Sequence, residues 1–364
     1  MNSLNIWPSE KSILITGAGG FIGSALALAI AESRSSALVL LDHSEQNLYE
    51  IDLALSSRQN ATKSRGTPHV AILGDISDGE LLDEVLVRYR PATIYHSAAY
   101  KHVPLMEANP LAVIANNILG TLSLAKATAR HGTERLLMIS TDKAVNPRSV
   151  MGVSKRVAEL ILIRFSNQRT RMSALRLGNV LGSSGSVLPL FERQISQGGP
   201  VAVTHPDACR YFISIEETVQ LILAAAALGE DGALLVPELG KPVKILDLAK
   251  RLIREAQGNT HAEIEIAFAG LRPGDKLTEE LTSSTENLAS TSDHRLHKVI
   301  SSLGASAISD STLDLIAEGV RMRNLAALVE LVTRIVPEYR PSEFLLALLR
   351  DAKTYEAKVS EVQR

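Results

Sequence analysis

Cysteine is nearly absent from this sequence: Cys209 is the single one in 364 residues. One thiol excludes a disulfide framework and a cysteine-rich metal site within the chain, and a lone cysteine is most often inert packing. No metal is expected. An excess of one charge is lacking as well. The 38 Lys and Arg stand against 40 Asp and Glu, a formal net charge of −2. Nothing in that balance points to nucleic acid or an anionic membrane surface as a partner. The small basic run Lys63 to Arg65 reads as a solvated loop. The N-terminal stretch MNSLNIWPSEK has no apolar core of signal-peptide length. No apolar run reaches the roughly 20 residues that span a bilayer. There is no internal repeat and no low-complexity tract. These absences lead to the expectation of a cytoplasmic protein with no membrane span.

What is present reads as an ordinary globular chain, with 45% hydrophobic and 21% charged residues. Short apolar runs alternate with amphipathic stretches. Strands are expected at Ser12 to Thr16, Ala37 to Leu41, His69 to Leu73, Thr93 to His96, Arg135 to Ser140 and Met172 to Leu177. Helices are expected between them at Phe21 to Ala31, Asn47 to Leu55, Leu81 to Arg90, Ala112 to His131 and Ser154 to Phe165. Apolar strands separated by helices imply an α/β fold with a parallel sheet covered on both faces, doubly wound by the right-handed crossover rule. After Arg176 the pattern loosens. Gly178 to Gly185 reads as a glycine- and serine-rich loop. Helices at Glu216 to Ala227 and Ile245 to Glu255, and strands at Ala233 to Val236 and Ile264 to Phe268, suggest a smaller lobe. The division expected is 1–177 for a Rossmann domain, 178–300 for a substrate-binding lobe with some elements returning to the main sheet, and 301–364 for a helical extension.

Thr16-Gly17-Ala18-Gly19-Gly20-Phe21-Ile22-Gly23 follows the first strand and opens the first helix. Gly17 allows a tight turn, Gly20 a close backbone approach to a pyrophosphate, and Gly23 close helix–strand packing. Phosphates then rest on unpaired N–H groups at the helix start, beside Gly19, Phe21 and Ile22. Asp42 ends the second strand, where a carboxylate accepts from both ribose hydroxyls and repels a 2′-phosphate. No arginine follows in His43-Ser44-Glu45, which favours NAD over NADP. Asp75 and Ile76 fall where the adenine would lie, and Asp75 reads equally as a turn acid.

Several further segments, in order, resemble the CapD-like polysaccharide-biosynthesis family of the extended short-chain dehydrogenase/reductase superfamily. They are LLDHSEQNLYEID (Leu40–Asp52), HSAAYKHVPLMEANP (His96–Pro110), NNILGT (Asn116–Thr121), STDKAVNP (Ser140–Pro147) and MGVSK (Met151–Lys155). LRLGNVLGSSGSVLPLF (Leu175–Phe191), HPDACRYF (His205–Phe212), GLRPGDKLTEEL (Gly270–Leu281) and VPEYRPS (Val336–Ser342) follow. The family's characterised type is a UDP-N-acetylglucosamine 4,6-dehydratase. Its larger members carry membrane helices and a further domain ahead of this module, and this sequence resembles the catalytic module standing alone.

The resemblance implies NAD as the cofactor, a UDP-sugar as the substrate and a homo-oligomer, which the superfamily often builds through helices such as Ala112 to His131 and Ser154 to Phe165. It implies that Asp142 is the acid toward sugar C6 and Lys143 the base at C5. Those roles ask for a protonated carboxylic acid and a neutral lysine near neutral pH. Lys155 would bind the nicotinamide ribose. Met151 stands where the superfamily has a tyrosine four residues before that lysine, and methionine cannot accept a proton. Thr141 or Asp142 is then the candidate to take the C4 hydroxyl proton. Asn117 resembles the asparagine that holds its helix near the cofactor. Ala98, Ala99 and Lys101 would border the cofactor, and Lys101, His102 and Met151 the sugar. Arg210 and Arg272 are the candidate clamps for diphosphate, with Asn179, Val187 and Glu280 on the same arm. Thr278 and Asp275 depart from the tyrosine and glutamate usual in the family's arm. A 4-epimerase on the same substrate class is the nearest alternative, and a catalytically silent nucleotide-sugar binder the next.

Overall fold

The structure is a computed structural model and describes residues 12–33, 37–61, 67–183, 185–257, 264–301 and 308–351. The stretch MNSLNIWPSEK and the run Lys63 to Arg65 lie outside them. The elements in order are β1 (Ser12–Thr16), α1 (Phe21–Ser33), β2 (Ala37–Asp42), α2 (Glu45–Ala61), β3 (His69–Leu73), α3 (Gly79–Tyr89), β4 (Thr93–His96), α4 (Val103–Glu107) and α5 (Pro110–Val113). A π-helical segment, Ile114–Gly120, leads into α6 (Thr121–His131), then β5 (Arg135–Thr141), α7 (Val150–Phe165) and β6 (Arg171–Leu177). Beyond these come β7 (Asn179–Val180), α8 (Val187–Ser196), β8 (Val201–Val203), β9 (Cys209–Arg210), β10 (Phe212–Ile213), α9 (Ile215–Leu228) and β11 (Leu234–Pro237). The order closes with β12 (Val243–Lys244), α10 (Ile245–Gln257), β13 (Ile266–Phe268), β14 (Asn287–Ser290), β15 (Leu296–Ile300), α11 (Asp310–Arg321) and α12 (Leu325–Ile335).

The main sheet has nine strands in the order β14-β15-β11-β6-β5-β4-β1-β2-β3. From β3 to β11 every neighbouring pair is parallel, while β15 and β14 are added antiparallel. The strand order reverses between β1 and β4, so the doubly wound fold read from the apolar alternation is the one observed. Buried residues of β2 divide by parity. Val39 and Leu41 join the core under α3, α6 and α7, whereas Leu38 and Leu40 join the core under α1 and α9. That period of two on a strand buried on both sides is why ALVLL carries no polar residue. A third, smaller core joins Phe191, Val201, Val203, Ile245 and Ile253 under α8 and α10.

One expectation changes in detail. Asn179 and Val180, read as loop, form β7 and pair in parallel with β10. Pro110–His131 is one continuous helical stretch that by length and composition could cross a bilayer. Two thirds of it are buried inside the fold, as befits a core helix packed on α3 and α7. Helix α7 is buried continuously from Val150 to Leu162. α12 packs on it and α11 on the π-helical segment, adding Leu313, Ile316, Leu328 and Val332 to the same core. The face offered to a second copy by the superfamily resemblance is thus partly covered by the chain's own helices.

Candidate active site

The glycine turn after β1 is shaped by contacts a side chain could not share. Gly17 has φ +65°, and a Cβ there would lie 2.6 Å from the Ala98 nitrogen. At Gly23 a Cβ would lie 2.1 Å from the Gly17 oxygen, so this glycine closes the turn itself. Gly19 is pressed against α2, where a Cβ would meet the Asn47 backbone at 2.4 Å. Gly20 is less crowded, a Cβ there lying 3.2 Å from the Gly17 oxygen, and its backbone lines the cavity described next. Asp42 Oδ2 accepts from Gly19 N at 2.9 Å and Oδ1 accepts from Ser44 N at 2.9 Å. A carboxylate has about four acceptor positions, so lone pairs remain for ribose hydroxyls.

A cavity of about 200 Å³ opens here, lined by Gly17, Gly20, Asp42, His43, Gly74, Ile76, Ala98, Ala99, Tyr100 and Asn116 among others. Its glycine wall, acidic rim and helix N-terminus fit the adenosine and phosphate side of a dinucleotide. Phe21 and Ile22 turn partly into the core beneath α1. Asp75 is exposed, and its Oδ1 accepts from Ser77 N and Oγ at 2.7 Å each, the turn-acid arrangement.

Asn117 sits in the π-helical segment, a local widening that often marks functional sites. Its side chain is 1% exposed. Oδ1 accepts from Tyr100 N at 2.9 Å, and Nδ2 donates to Tyr100 O and Ser154 Oγ, both at 3.0 Å. It therefore ties the β4 exit to α7. His96 braces the same region. Thr121 Oγ1 spends its proton on Asn117 O at 2.7 Å, so it accepts from His96 Nε2 at 3.0 Å, and Nδ1 accepts from Thr16 Oγ1 at 2.8 Å. Burial, with Lys155 adding, pushes His96 down to about 3, a neutral strut rather than a base.

Asp142 and Lys143 leave the end of β5 in a single 3₁₀ turn whose first N–H groups face Thr141. Asp142 is 0% exposed. Its Oδ1 accepts from Lys143 Nζ at 2.8 Å and Thr141 Oγ1 at 2.9 Å. Its Oδ2 is buried without a hydrogen-bond partner among the described residues. Lys143 Nζ also donates to Asn179 Oδ1 at 2.9 Å. Burial opposes the charge on Lys143, but Asp142 and Glu279 outweigh it and hold the lysine above its ordinary range. Lys143 and Asp142 form an ion pair at 2.8 Å, and the sequence reading asks for the neutral lysine and protonated acid. Both forms carry the same number of protons and differ by one proton moved along a 2.8 Å hydrogen bond.

Lys155 is 5% exposed on α7, one turn after Met151, itself 3% exposed. Burial pulls Lys155 down to about 8, with Glu159 acting against it. On the open side, Lys101 and His102 are exposed, and partial desolvation lowers both, with Lys101 and Arg272 adding to the effect at His102. Arg210 is turned inward. Its guanidinium donates to the carbonyls of Cys209, Lys276 and Leu277 at 2.7 to 3.1 Å. Arg272 is exposed and paired with Asp275 at 2.8 Å. Glu280 accepts from Asn146 Nδ2 at 2.8 Å. Val187 opens α8 and leans on the small core. The structure thus gathers Thr141, Asp142, Lys143 and Asn179 at one point, while Arg210 holds the arm together from inside.

Three groups escaped the sequence reading. Lys276 and Glu279, in GDKLTEEL, are one: Lys276 Nζ donates to Val145 O, just past the acid–base turn, at 2.5 Å and lies 3.5 Å from Glu279 Oε2. Beneath the pair, Glu159 accepts from Ser140 Oγ at 2.6 Å and from Arg176 and Arg156 at 2.9 to 3.0 Å. Arg176 extends to Glu286 at 2.8 and 3.0 Å. Charges embedded in the apolar runs RVAELILI and SALRLG were the available signal, since buried charges are paired. Third, Glu107 accepts from Val150 N at 2.6 Å and from the Ser342 hydroxyl, with Tyr339 buried alongside.

The sequence profile of the polysaccharide biosynthesis protein family matches residues 13–301. The chain is 46% identical over 280 residues to the capsular polysaccharide biosynthesis protein CapD of Staphylococcus aureus, covering 76% of this chain and 46% of that protein. It is 43% identical to the probable polysaccharide biosynthesis protein EpsC of Bacillus subtilis over the same shares. It thus spans about half the length of these curated relatives. It is also 31% identical to the UDP-glucose 4-epimerase of Rickettsia rickettsii, covering 76% of this chain and 79% of that one. Among solved structures, Pen from Bacillus thuringiensis superposes with a TM-score of 0.72 at 25% identity, over 82% of this chain and 90% of Pen. The Thermus thermophilus UDP-glucose 4-epimerase, solved with NAD, shares the fold at a TM-score of 0.61 and 22% identity, over 75% and 90% of the two chains. The chain belongs to the polysaccharide biosynthesis protein family that the ordered motifs resemble.

Proposed function

We propose that this chain is an NAD-dependent nucleotide-sugar 4,6-dehydratase of polysaccharide biosynthesis, with UDP-N-acetylglucosamine as substrate and a UDP-2-acetamido-4-keto-2,6-dideoxyhexose as product. The observation that carries the reading is the Asp142–Lys143 hydrogen bond at the end of β5, two places along the sheet from β1 and its glycine turn. Removal of a C5 proton and protonation of the departing C6 hydroxyl need one base and one acid side by side. A dinucleotide held by the Gly17–Gly23 turn and Asp42 would supply reversible hydride acceptance at the sugar.

The chain's own residues handle the protons. Loss of one proton from the ion pair to solvent leaves the Asp142 carboxylate and the neutral Lys143 amine, and the proton of the C4 hydroxyl then makes Asp142 the acid. Lys143 then takes the C5 proton, and Asp142 gives its proton to the leaving hydroxyl, which restores the ion pair. Lys143 later returns the proton to C5. Thr141 Oγ1, 2.9 Å from Asp142 Oδ1, is the route by which the C4 hydroxyl proton reaches Asp142. Over one turnover that proton leaves in the water. Met151 has no part in proton transfer.

A second reading, a UDP-sugar 4-epimerase, is favoured by the likeness to the Rickettsia proteins of that name. The test is mass spectrometry and proton NMR of the protein incubated with UDP-N-acetylglucosamine and catalytic NAD. Loss of one water with a new C6 methyl signal supports the dehydratase. An isobaric product inverted at C4 replaces it with the epimerase. No reaction across a panel of nucleotide sugars, with NAD bound, leaves a silent binder.

A further inference from the structure

The segment HVPLMEANP places a glutamate at the end of α4 that the proposed reaction does not use. Glu107 is 0% exposed. Its Oε1 accepts at 2.6 Å from Val150 N, the first N–H of α7 and 43 residues away. Helix starts leave such N–H groups unpaired, and their partial positive charge favours a carboxylate. Ser149 Oγ accepts from Gly152 N at 3.0 Å, so side chains hold two of the opening donors of α7. The other Glu107 oxygen accepts from the Ser342 hydroxyl, which itself accepts from Leu345 N at 3.1 Å. Arg340 N donates to Pro147 O at 3.1 Å and ties the same C-terminal segment to the loop before α7. The helix start bears directly on the acid–base turn. A Cβ at Gly152 would lie 2.4 Å from Lys143 O, so no side chain fits between the first turn of α7 and the Lys143 backbone.

We propose that Glu107 is a positioning residue for Lys143: it seats the first turn of α7 against the Lys143 backbone, and the Ser342 hydroxyl completes its buried hydrogen bonding from the C-terminal segment. Glu107 acts through Val150 and Gly152, not on the reacting atoms. Two pieces of chain remote in sequence, α4 and Val336–Ser342, thus fix where the lysine stands. Lys143 Nζ reaches Asp142 Oδ1 at 2.8 Å and Asn179 Oδ1 at 2.9 Å together, a reach that tolerates little movement of its backbone. A displacement of about 1 Å at a reacting group can cost about 10²-fold in rate. The catalytic meaning of this placement rests on the dehydratase reading, but the seating of α7 does not.

The test compares the full-length wild type with Glu107→Leu, Glu107→Gln and Ser342→Ala. Backbone hydrogen exchange, read by mass spectrometry, follows peptides spanning 142–153, with peptides from β1 to β3 as the reference. Glu107→Leu removes both acceptors, so exchange over 142–153 speeds up while the reference peptides keep the wild-type rate. Glu107→Gln restores protection, because its carbonyl oxygen still accepts from Val150 N and its amide can donate to Ser342 Oγ. Ser342→Ala is the milder change. It gives a smaller rise in the same peptides and decides the matter if the leucine variant does not fold. With UDP-N-acetylglucosamine and NAD, Glu107→Leu lowers kcat by about 10–100-fold at unchanged KM, and Glu107→Gln recovers most of that loss. Unchanged exchange over 142–153, faster exchange throughout the chain, a glutamine variant as impaired as the leucine one, or a raised KM with kcat kept overturns the proposal. A wild type that forms no 4-keto product, with the local exchange pattern intact, overturns the dehydratase reading alone.

Discussion

Asn117 and Ser154, 37 residues apart, meet through a 3.0 Å hydrogen bond from the amide to the hydroxyl. The same amide holds both backbone groups of Tyr100, on the rim of the dinucleotide cavity. Asn117→Ala leaves several buried polar groups unpaired, each costing about 1–3 kcal/mol. A lowered urea midpoint together with weaker NAD binding is expected, measured by equilibrium unfolding and calorimetric titration. Loss of stability with unchanged NAD affinity would show that the brace does not shape the cavity.

The hydrogen bond from Lys143 to Asp142 makes Asp142 the test of acid catalysis. Asp142→Asn keeps the volume but cannot deliver the proton to the departing hydroxyl. A fall in turnover of about 10²–10⁴-fold is expected, with NAD and nucleotide-sugar binding retained. Turnover within a few-fold of wild type would remove Asp142 from the acid role.

Lys155 carries a signature in stability. Burial brings its folded value to about 8, below the ordinary lysine value of 10.5. Below pH 8 it is charged in both states. Between about 8 and 10.5 the unfolded chain binds the extra proton, so this lysine makes stability rise with pH by up to about 1.4 kcal/mol per pH unit. Urea melts of the cofactor-free protein should show that rise relative to Lys155→Met, and parallel pH profiles for the two proteins would contradict it.

Arg176 is 0% exposed and serves two buried carboxylates, Glu159 and Glu286. Arg176→Met takes one cation from each, leaving Arg156 to serve both carboxylates, and a loss of about 3–5 kcal/mol is expected, the cost of removing one partner from a buried ion pair. Denaturant unfolding measures it. A loss under about 1 kcal/mol would mean that the network is a replaceable filler.

Asp42→Ala removes the acceptor of Gly19 N and Ser44 N as well as the acidic rim of the cavity. Weaker NAD binding by about 10–100-fold, with a smaller preference over NADP, is the expected outcome, since hydrogen bonds to a charged group contribute about 1.5–3 kcal/mol. Calorimetric titration with both cofactors decides it. An unchanged preference would move discrimination to another residue.

The parallel strands β1 to β6, the glycine turn and the acid at the end of β2 could be read from residues close together in the chain. Apolar runs, period and turn chemistry are local, and Asp142 and Lys143 are covalent neighbours. The small strands were not legible, because two-residue pairs such as β7 with β10 have no period of their own. Nor was the entry of β15 into the main sheet beside β11. The site's supports were beyond local reading too. Lys143 finds Asn179 36 residues away, and Arg176 finds Glu286 110 residues away. Sequence by itself determined which groups can do acid–base chemistry. Tertiary structure decided which distant partners meet those groups, Asn179 at Lys143 and Glu286 at Arg176, because burial and the pairing of remote charges arise only on folding.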